Sequence, residues 1–277
     1  MPQIHPTAVV DPRAEIADDA QIGPFCIVGP HVRIGAQTRL IGQCYVTGHT
    51  TIGSRNVLYP NVCIGAEPQD FAFDPSTVSY VRIGDGNVFR EGVTIHAGTK
   101  PETTTQIGNR NFLMVNSHIG HNCIIGNEVI MANCALMAGY VEVQDGCFIS
   151  GLTAVRQFCR IGRFAMMWGL SAISKDLPPF MIVNGRNGDI AGVNVVALRR
   201  RNFPAATINA LRKVHTVFFR GGRSVSKALE AVRAEVPLLP EVEEFIRFVE
   251  SSERGVLLGR DSRAKRLAAE TEQPGEV

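Results

Sequence analysis

The chain of 277 residues is poor in charge and in aromatics: Asp, Glu, Lys and Arg make up 19% of it, Phe, Trp and Tyr 7%, with a single tryptophan. No apolar run approaches the roughly 20 residues of a membrane span, which argues against insertion into a bilayer. There is no Cys-x-x-Cys pair and no Cys/His zinc spacing, and seven cysteines are an odd number for a complete disulfide framework. A phosphate-binding P-loop, a nucleophile elbow and an HExxH segment are also absent. Nucleic-acid binding lacks support, because the basic residues are not interleaved with aromatics. A regular pattern begins at Ile4, which leaves no room for a signal peptide, so a cytoplasmic protein is expected.

That pattern dominates what is present. Every sixth residue from Ile4 to Ile64 is aliphatic, and the register returns at Ile83, Phe89 and Ile95 and again from Ile107 to Ile173, for 26 apolar residues at one spacing. A period of six fits neither the 3.6 of a helix nor the 2.0 of an ordinary strand. It is the mark of a hexapeptide-repeat parallel β-helix, a β-solenoid in which each six residues form one short strand and one turn. Three strands per coil give 18 residues per coil and about nine coils. Two places before most register positions stands a small or β-branched residue, among them Cys26, Cys44, Cys123, Cys147 and Cys159. Positions i and i−2 of a strand share a face, so these cysteines read as interior filler and free thiols. Gly follows the register residue at Gly23, Gly35, Gly108, Gly120 and elsewhere, where a Cβ would crowd the corner.

The solenoid is expected over residues 1–183, its repeat ending near Asp176-Leu177-Pro178-Pro179, with insertions at Ala66 to Val81 and Ala97 to about Thr105. Insertions in a solenoid emerge as surface loops, often on the binding side. Residues 184–256 form an α-helical domain by pattern: Ile208, Leu211, His215 and Phe218 have helical spacing, Ser224 caps a second segment, and Pro240 opens a third. Residues 257–277 read as a polar, frayed tail. Between Arg186 and Lys227 nine basic residues face one acid, Asp189. That run is either a solvated face or a patch for an acidic partner.

Because the coil repeats every 18 residues, His121 lies beneath Gly139 and Gly139 beneath Gln157, each separated by roughly 4.8 Å. Asn122 likewise lies beneath Tyr140, and His118 stands just before His121 at an outward strand position. A histidine near neutral pKa, a bare backbone N–H and an amide in one column suit acyl transfer, as base and oxyanion donor. Outward polar residues on a β-helix corner also occur without a role, as His5, His31 and His49 are expected to do, and the residues alone leave both readings open.

The stretch from Asn116 to Cys123, NSHIGHNC, closely resembles the site motif of the UDP-N-acetylglucosamine 3-O-acyltransferase family of lipid A biosynthesis. So do IGPFCIVGPHVRIG, PQDF, REGVTIHAGT, GLTAVRQFC, KDLPPF and GVNVVALRRRNF, and the resemblance covers at least Ile4 to Phe203. The resemblance implies a left-handed parallel β-helix and a homotrimer with sites between subunits. It also implies transfer of a 3-hydroxyacyl chain from acyl carrier protein to the 3-hydroxyl of UDP-N-acetylglucosamine, the first step of lipid A biosynthesis. By it, His121 is the general base and Gly139 N–H the oxyanion donor. Gln69, Asp70, His118 and Gln157 contact the sugar, while Asn194 and Arg200 reach the nucleotide. Gly169 stands where chain length is gauged, with Trp168 narrowing the acyl groove. The basic run becomes a docking surface for the acidic carrier protein. No metal or organic cofactor is implied, since a base and an oxyanion donor suffice.

Five positions depart from the family pattern. Asn122 stands in place of Asp, Tyr140 and Arg156 in place of His, Ala72 in place of Lys, and Val196 in place of Glu. They raise the alternatives of a modified nucleotide sugar as acceptor, or of a non-catalytic carrier-protein-binding β-helix; the intact His121 favours catalysis. A zinc hydro-lyase on a similar fold would use His96, His118 and His121, but their spacing does not resemble that family's.

Overall fold

The computed structural model describes residues 1–185 and 188–259. Twenty-six short strands from Gln3–Ile4 to Ala172–Ile173 wind into a three-sided parallel coil, one strand for each register residue of the sequence. Each strand pairs in register with the strand one coil away. His118↔Leu136 and Leu136↔Ala154 are examples, with strict 18-residue offsets outside the two insertions. The three faces are here called A (from Gln3–Ile4), B (from Val9–Val10) and C (from Glu15–Ile16).

The register residues fill the lumen: Ile22, Val46, Leu58, Ile64, Ile95, Ile119, Met137 and Ile161 are at most 2% exposed. Each such burial contributes roughly 1.5–3 kcal/mol. All seven cysteines are free, and the five in the small position are buried. The corners use two devices. The glycine after the register residue is required by close approach, since a Cβ on Gly108 would meet the Gly126 carbonyl of the next coil. Left-handed backbone is carried mostly by non-glycine residues, including Phe25, Asn116, Asn122, Tyr140, Leu152 and Phe164, with φ between 51 and 67°. That conformation costs roughly 1–2 kcal/mol for an L-residue. It aims the N–H at the coil below, as in Tyr140 N–H to the His121 carbonyl at 2.9 Å.

A polar ladder inside the corner between faces C and A escapes the rule of small or β-branched i−2 residues. Asn56, Asn87 and Asn111 are buried and stacked. The Asn87 N–H and Nδ2 both donate to Asn56 Oδ1 at 2.9 Å, its Nδ2 also donates to the Gly108 carbonyl at 3.0 Å, and its Oδ1 accepts from Asn111 N–H at 2.8 Å.

The solenoid does not end at the proline pair. After it, Met181–Asn184 adds to face A beside Met166–Met167, and Asp189–Val193 turns back antiparallel to it. The expected boundary at 183 therefore falls inside a strand. Four helices follow: α1 (Val195–Arg200), α2 (Ala205–Phe219), α3 (Val225–Glu235) and α4 (Pro240–Glu250). Ser224 caps α3 and Pro240 opens α4, as expected; α1 was not foreseen. Phe218, Phe219 and Phe245 join the helices, and their core is continuous with the lumen's. Arg163 bonds Glu244 of α4 at 2.6 Å, and Arg160 bonds the buried Asp176 at 3.1 Å while covering the Phe248 ring. The tail begins later than expected: Leu257 is 6% exposed and its N–H donates to the Asp176 carbonyl at 2.9 Å. The rest of the expected tail, 260–277, lies outside the described residues.

Replacing Asn87 by Ala leaves the Asn111 N–H and the Gly108 carbonyl without these partners, while the Asn56 oxygen keeps only the backbone N–H of residue 87. A loss of roughly 3 kcal/mol is expected, because an unmade buried hydrogen bond costs about 1–3 kcal/mol. It should appear as a lowered thermal midpoint, while Asn109→Ala, on the exposed side of the same corner, should cost less.

Candidate active site

The corner between faces B and C gathers most of the predicted site. The turns after His118–Ile119, Leu136–Met137 and Ala154–Val155 place His121, Gly139 and Gln157 in one column, as the 18-residue period requires. The Gly139 carbonyl accepts from Phe158 N–H at 3.2 Å, while the Gly139 N–H has no acceptor among the described residues. The His121 imidazole lies against Gly139 so closely that a Cβ there would overlap its Cε1 and Nε2. His121 is 7% exposed and Asn122 8%.

Asn122 keeps a bond to the histidine: His121 Nδ1 and Asn122 Oδ1 are 3.0 Å apart. A neutral amide thus makes the contact that an Asp was expected to make. Asn122 Oδ1 also accepts from the N–H of Thr99 at 3.0 Å and from its hydroxyl at 3.1 Å, and Thr99 Oγ1 is 3.1 Å from the Tyr140 hydroxyl. Tyr140 lies edge-on to the His121 ring and stacks on Phe158 with centroids 4.9 Å apart.

Behind His121, His118 shares a hydrogen bond with Thr94 Oγ1 at 2.8 Å and meets His96 edge to face at 5.0 Å. Burial, then the neighbouring His118 and His121, lowers the His96 pKa to about 4. Burial, then His121, lowers that of His118. Both therefore stay neutral near pH 7, where each imidazole carries one donor and one acceptor nitrogen.

Both insertions emerge at this same corner. Gln69 lines a cleft of about 740 Å³ with His31, His49, Phe73 and His96. Asp70 beside it is exposed, and its Oδ1 accepts from the Ala72 N–H at 2.9 Å, which fixes the loop turn. Gln157 and Arg156 are exposed one coil above Gly139. His31 and His49, expected to be idle, stack with centroids 4.3 Å apart in the cleft wall.

Within one chain the remaining predicted residues lie on other edges. Asn194 and Arg200 belong to α1 at the C–A edge, with Val196 exposed there too. Asn194 is 4% exposed and committed to the fold: its Oδ1 caps α1 by accepting from Ala197 N–H, and its Nδ2 donates to the Phe164 carbonyl at 2.9 Å. Trp168 and Gly169 occupy the A–B edge, Trp168 being 43% exposed. A single cleft holding all of these residues is therefore not formed by one chain, because the coil arithmetic sends them to three different edges. Thr94, Thr99 and Thr105 were missed by sequence reasoning. Thr105 Oγ1 accepts from Asn122 N–H at 2.7 Å. Thr99 and Thr105 lie in or beside the second insertion, where the period of six no longer places residues.

Comparison with known proteins bears on the fold and the family. A family model described as bacterial transferase hexapeptide (six repeats) matches residues 104–139, and one described as UDP-N-acetylglucosamine O-acyltransferase, domain 2, matches 176–257. A Syntrophobacter fumaroxidans protein named acyl-(acyl-carrier-protein)–UDP-N-acetylglucosamine O-acyltransferase is 45% identical over 92% of this chain and 99% of its own length. A Janthinobacterium protein of the same name is 40% identical over 93% of this chain and all of its own. The structure of the Francisella novicida UDP-N-acetylglucosamine acyltransferase superposes with a TM-score of 0.89 at 34% identity, covering 99% of this chain and all of that one. With the repeat-built coil, these neighbours make the solenoid a left-handed β-helix. By fold and by identity along nearly its whole length, the chain belongs to the acyl-carrier-protein-dependent UDP-N-acetylglucosamine O-acyltransferase family.

Proposed function

We propose that the protein transfers a 3-hydroxyacyl chain from acyl carrier protein to the 3-hydroxyl of UDP-N-acetylglucosamine in the cytoplasm, with His121 as general base. The observation that carries this is the buried His121 pressed against Gly139 with its Nδ1 tied to Asn122. His121 Nε2 takes the proton as the sugar oxygen attacks the thioester carbonyl, and the Gly139 N–H faces the oxyanion that forms. As the carbon–sulfur bond breaks, the carrier thiolate leaves and receives that proton from the imidazolium. His118, Asp70, Gln69 and Gln157 orient the sugar, and no cofactor is needed for these steps. Positioned acid–base catalysis of this kind is worth roughly 10²–10⁴-fold.

Three copies complete the site. Outward residues of face A are largely apolar (Val57, Val88, Phe112, Ile130, Phe148, Met166), and those of face B include Val9, Ile27, Leu136 and Ala154. Face C instead presents Glu15, Arg33, Arg82, Glu142 and Arg160. Two unlike apolar faces suit a closed heterologous ring. The A–B edge, with exposed Phe25, Leu152 and Leu170, then turns inward. In such a ring the C–A edge of one copy, carrying Asn194 and Arg200, comes beside the B–C edge of the next, carrying His121. Arg199, Arg200, Arg212, Lys213, Arg220 and Lys227 are exposed and make no ion pair among the described residues, which supports docking of an acidic carrier protein there.

Asn122 favours one second reading. An amine attacks without first losing a proton, so a base that lacks carboxylate support suits a 3-amino nucleotide sugar as acceptor.

His121→Ala should lower transfer at least 100-fold, and Gly139→Ala should do nearly as much by displacing the imidazole; a carrier-protein assay with each sugar checks both. Undiminished transfer by His121→Ala sinks the assignment of the base. Sedimentation of the purified protein should give three times the 30.1 kDa chain mass. Arg212→Glu with Lys213→Glu should raise the KM for carrier protein roughly tenfold and flatten its salt dependence, leaving the KM for the sugar in place.

A further inference from the structure

We propose that Thr99 is a positioning residue that clamps the Asn122 amide and thereby holds His121 in the tautomer protonated at Nδ1, leaving Nε2 free to act as the base. The inference deepens the acyl-transfer reading and, as far as catalysis goes, rests on it.

The orientation of the amide follows from its partners. A backbone N–H can only donate, so the Asn122 atom 3.0 Å from Thr99 N is the carbonyl oxygen. The same oxygen faces His121 Nδ1 at 3.0 Å, and that nitrogen must then carry the proton. The Thr99 hydroxyl donates to this oxygen as well, and the Tyr140 hydroxyl can donate to Thr99 Oγ1, so each donor in the chain is used once. Asn122 itself is anchored through its N–H to Thr105 Oγ1. Without the Thr99 N–H and hydroxyl the amide could turn its NH₂ toward the imidazole, and one N–H donated to Nδ1 would then stabilise the opposite tautomer, with the proton on Nε2. A neutral acceptor orients the ring without adding the attraction that a carboxylate would exert on the imidazolium. The titratable groups around the ring are His96 and His118 from neighbouring strand positions and Tyr140 from the coil above.

The test combines a spectroscopic readout with kinetics on the full-length protein. In ¹⁵N-histidine-labelled wild type, with the His121 signals assigned by loss in His121→Gln, the resting ring should be protonated at Nδ1. Asn122→Ala should give a mixture of tautomers, Thr99→Val a smaller change in the same direction, and Thr99→Ser the wild-type spectrum. An Nε2-protonated ring in the wild type would overturn the proposal whether or not the protein transfers acyl chains, whereas an Nδ1-protonated ring in a protein that transfers nothing would count against the reaction alone. In the transfer assay, Thr99→Val should lower kcat roughly tenfold with KM for the sugar within twofold, and Thr99→Ser should recover it. Asn122→Asp should move the acid limb of kcat/KM up by about one pH unit, since the added carboxylate favours the charged imidazole. A Thr99→Val enzyme with unchanged kcat and unchanged tautomer would equally overturn the proposal.

Discussion

Parallel, in-register stacking of six-residue segments is the constraint on which everything else in this protein rests. A two-residue strand is far too short to be stable alone, but all except those at the ends of the faces are bonded to a coil above and a coil below. Its inward residue is sealed in a lumen where Ile64, Ile95 and Ile119 are fully buried. The corners follow from the same constraint. Turning the chain within a few residues puts Phe25, Asn122 and Tyr140 in left-handed backbone, and the N–H groups so directed bond the neighbouring coil. The local strain is offset by regular hydrogen bonding.

That regularity also makes the chemistry. A corner that repeats every 18 residues brings His121, Gly139 and Gln157 together without any loop to hold them, so the proposed base sits on a regular scaffold. Only at Gly139 does the histidine find a bare backbone to lie against. In the adjacent column of positions, above Asn122, Tyr140 and Phe158 stack. The insertions interrupt the period to add what a strict repeat does not supply: one carries Gln69 and Asp70, the other Thr99. Both leave the coil at the B–C corner, because a loop inserted between a face-B and a face-C strand has nowhere else to emerge.

Much of this was legible beforehand. The lumen residues, the free cysteines, the crowded glycines and the His121–Gly139–Gln157 column all follow from a spacing of six. The Asn56–Asn87–Asn111 ladder was overlooked, although Asn recurs at i−2 in three coils, because an interior position was assumed to take an apolar side chain. A buried amide is tolerated there since the next coil supplies a matching donor and acceptor. The end of the solenoid was placed too early for a related reason. Met181–Asn184 pairs with the coil but belongs to a hairpin and so carries no six-residue period.

The sequence alone determined the β-helix, its coil length and the column in which His121 stands, because these depend on a short repeat that stacks with constant offset. Tertiary structure decided what an offset cannot reach. It set where the insertions fold back, with Thr99 clamping Asn122, and it distributed Asn194, Arg200 and Trp168 over edges away from His121. It also brought the neutral Asn122 into contact with the His121 imidazole. Those outcomes depend on hydrogen bonds between segments whose separation in the chain carries no period, so they appear only once the chain is folded.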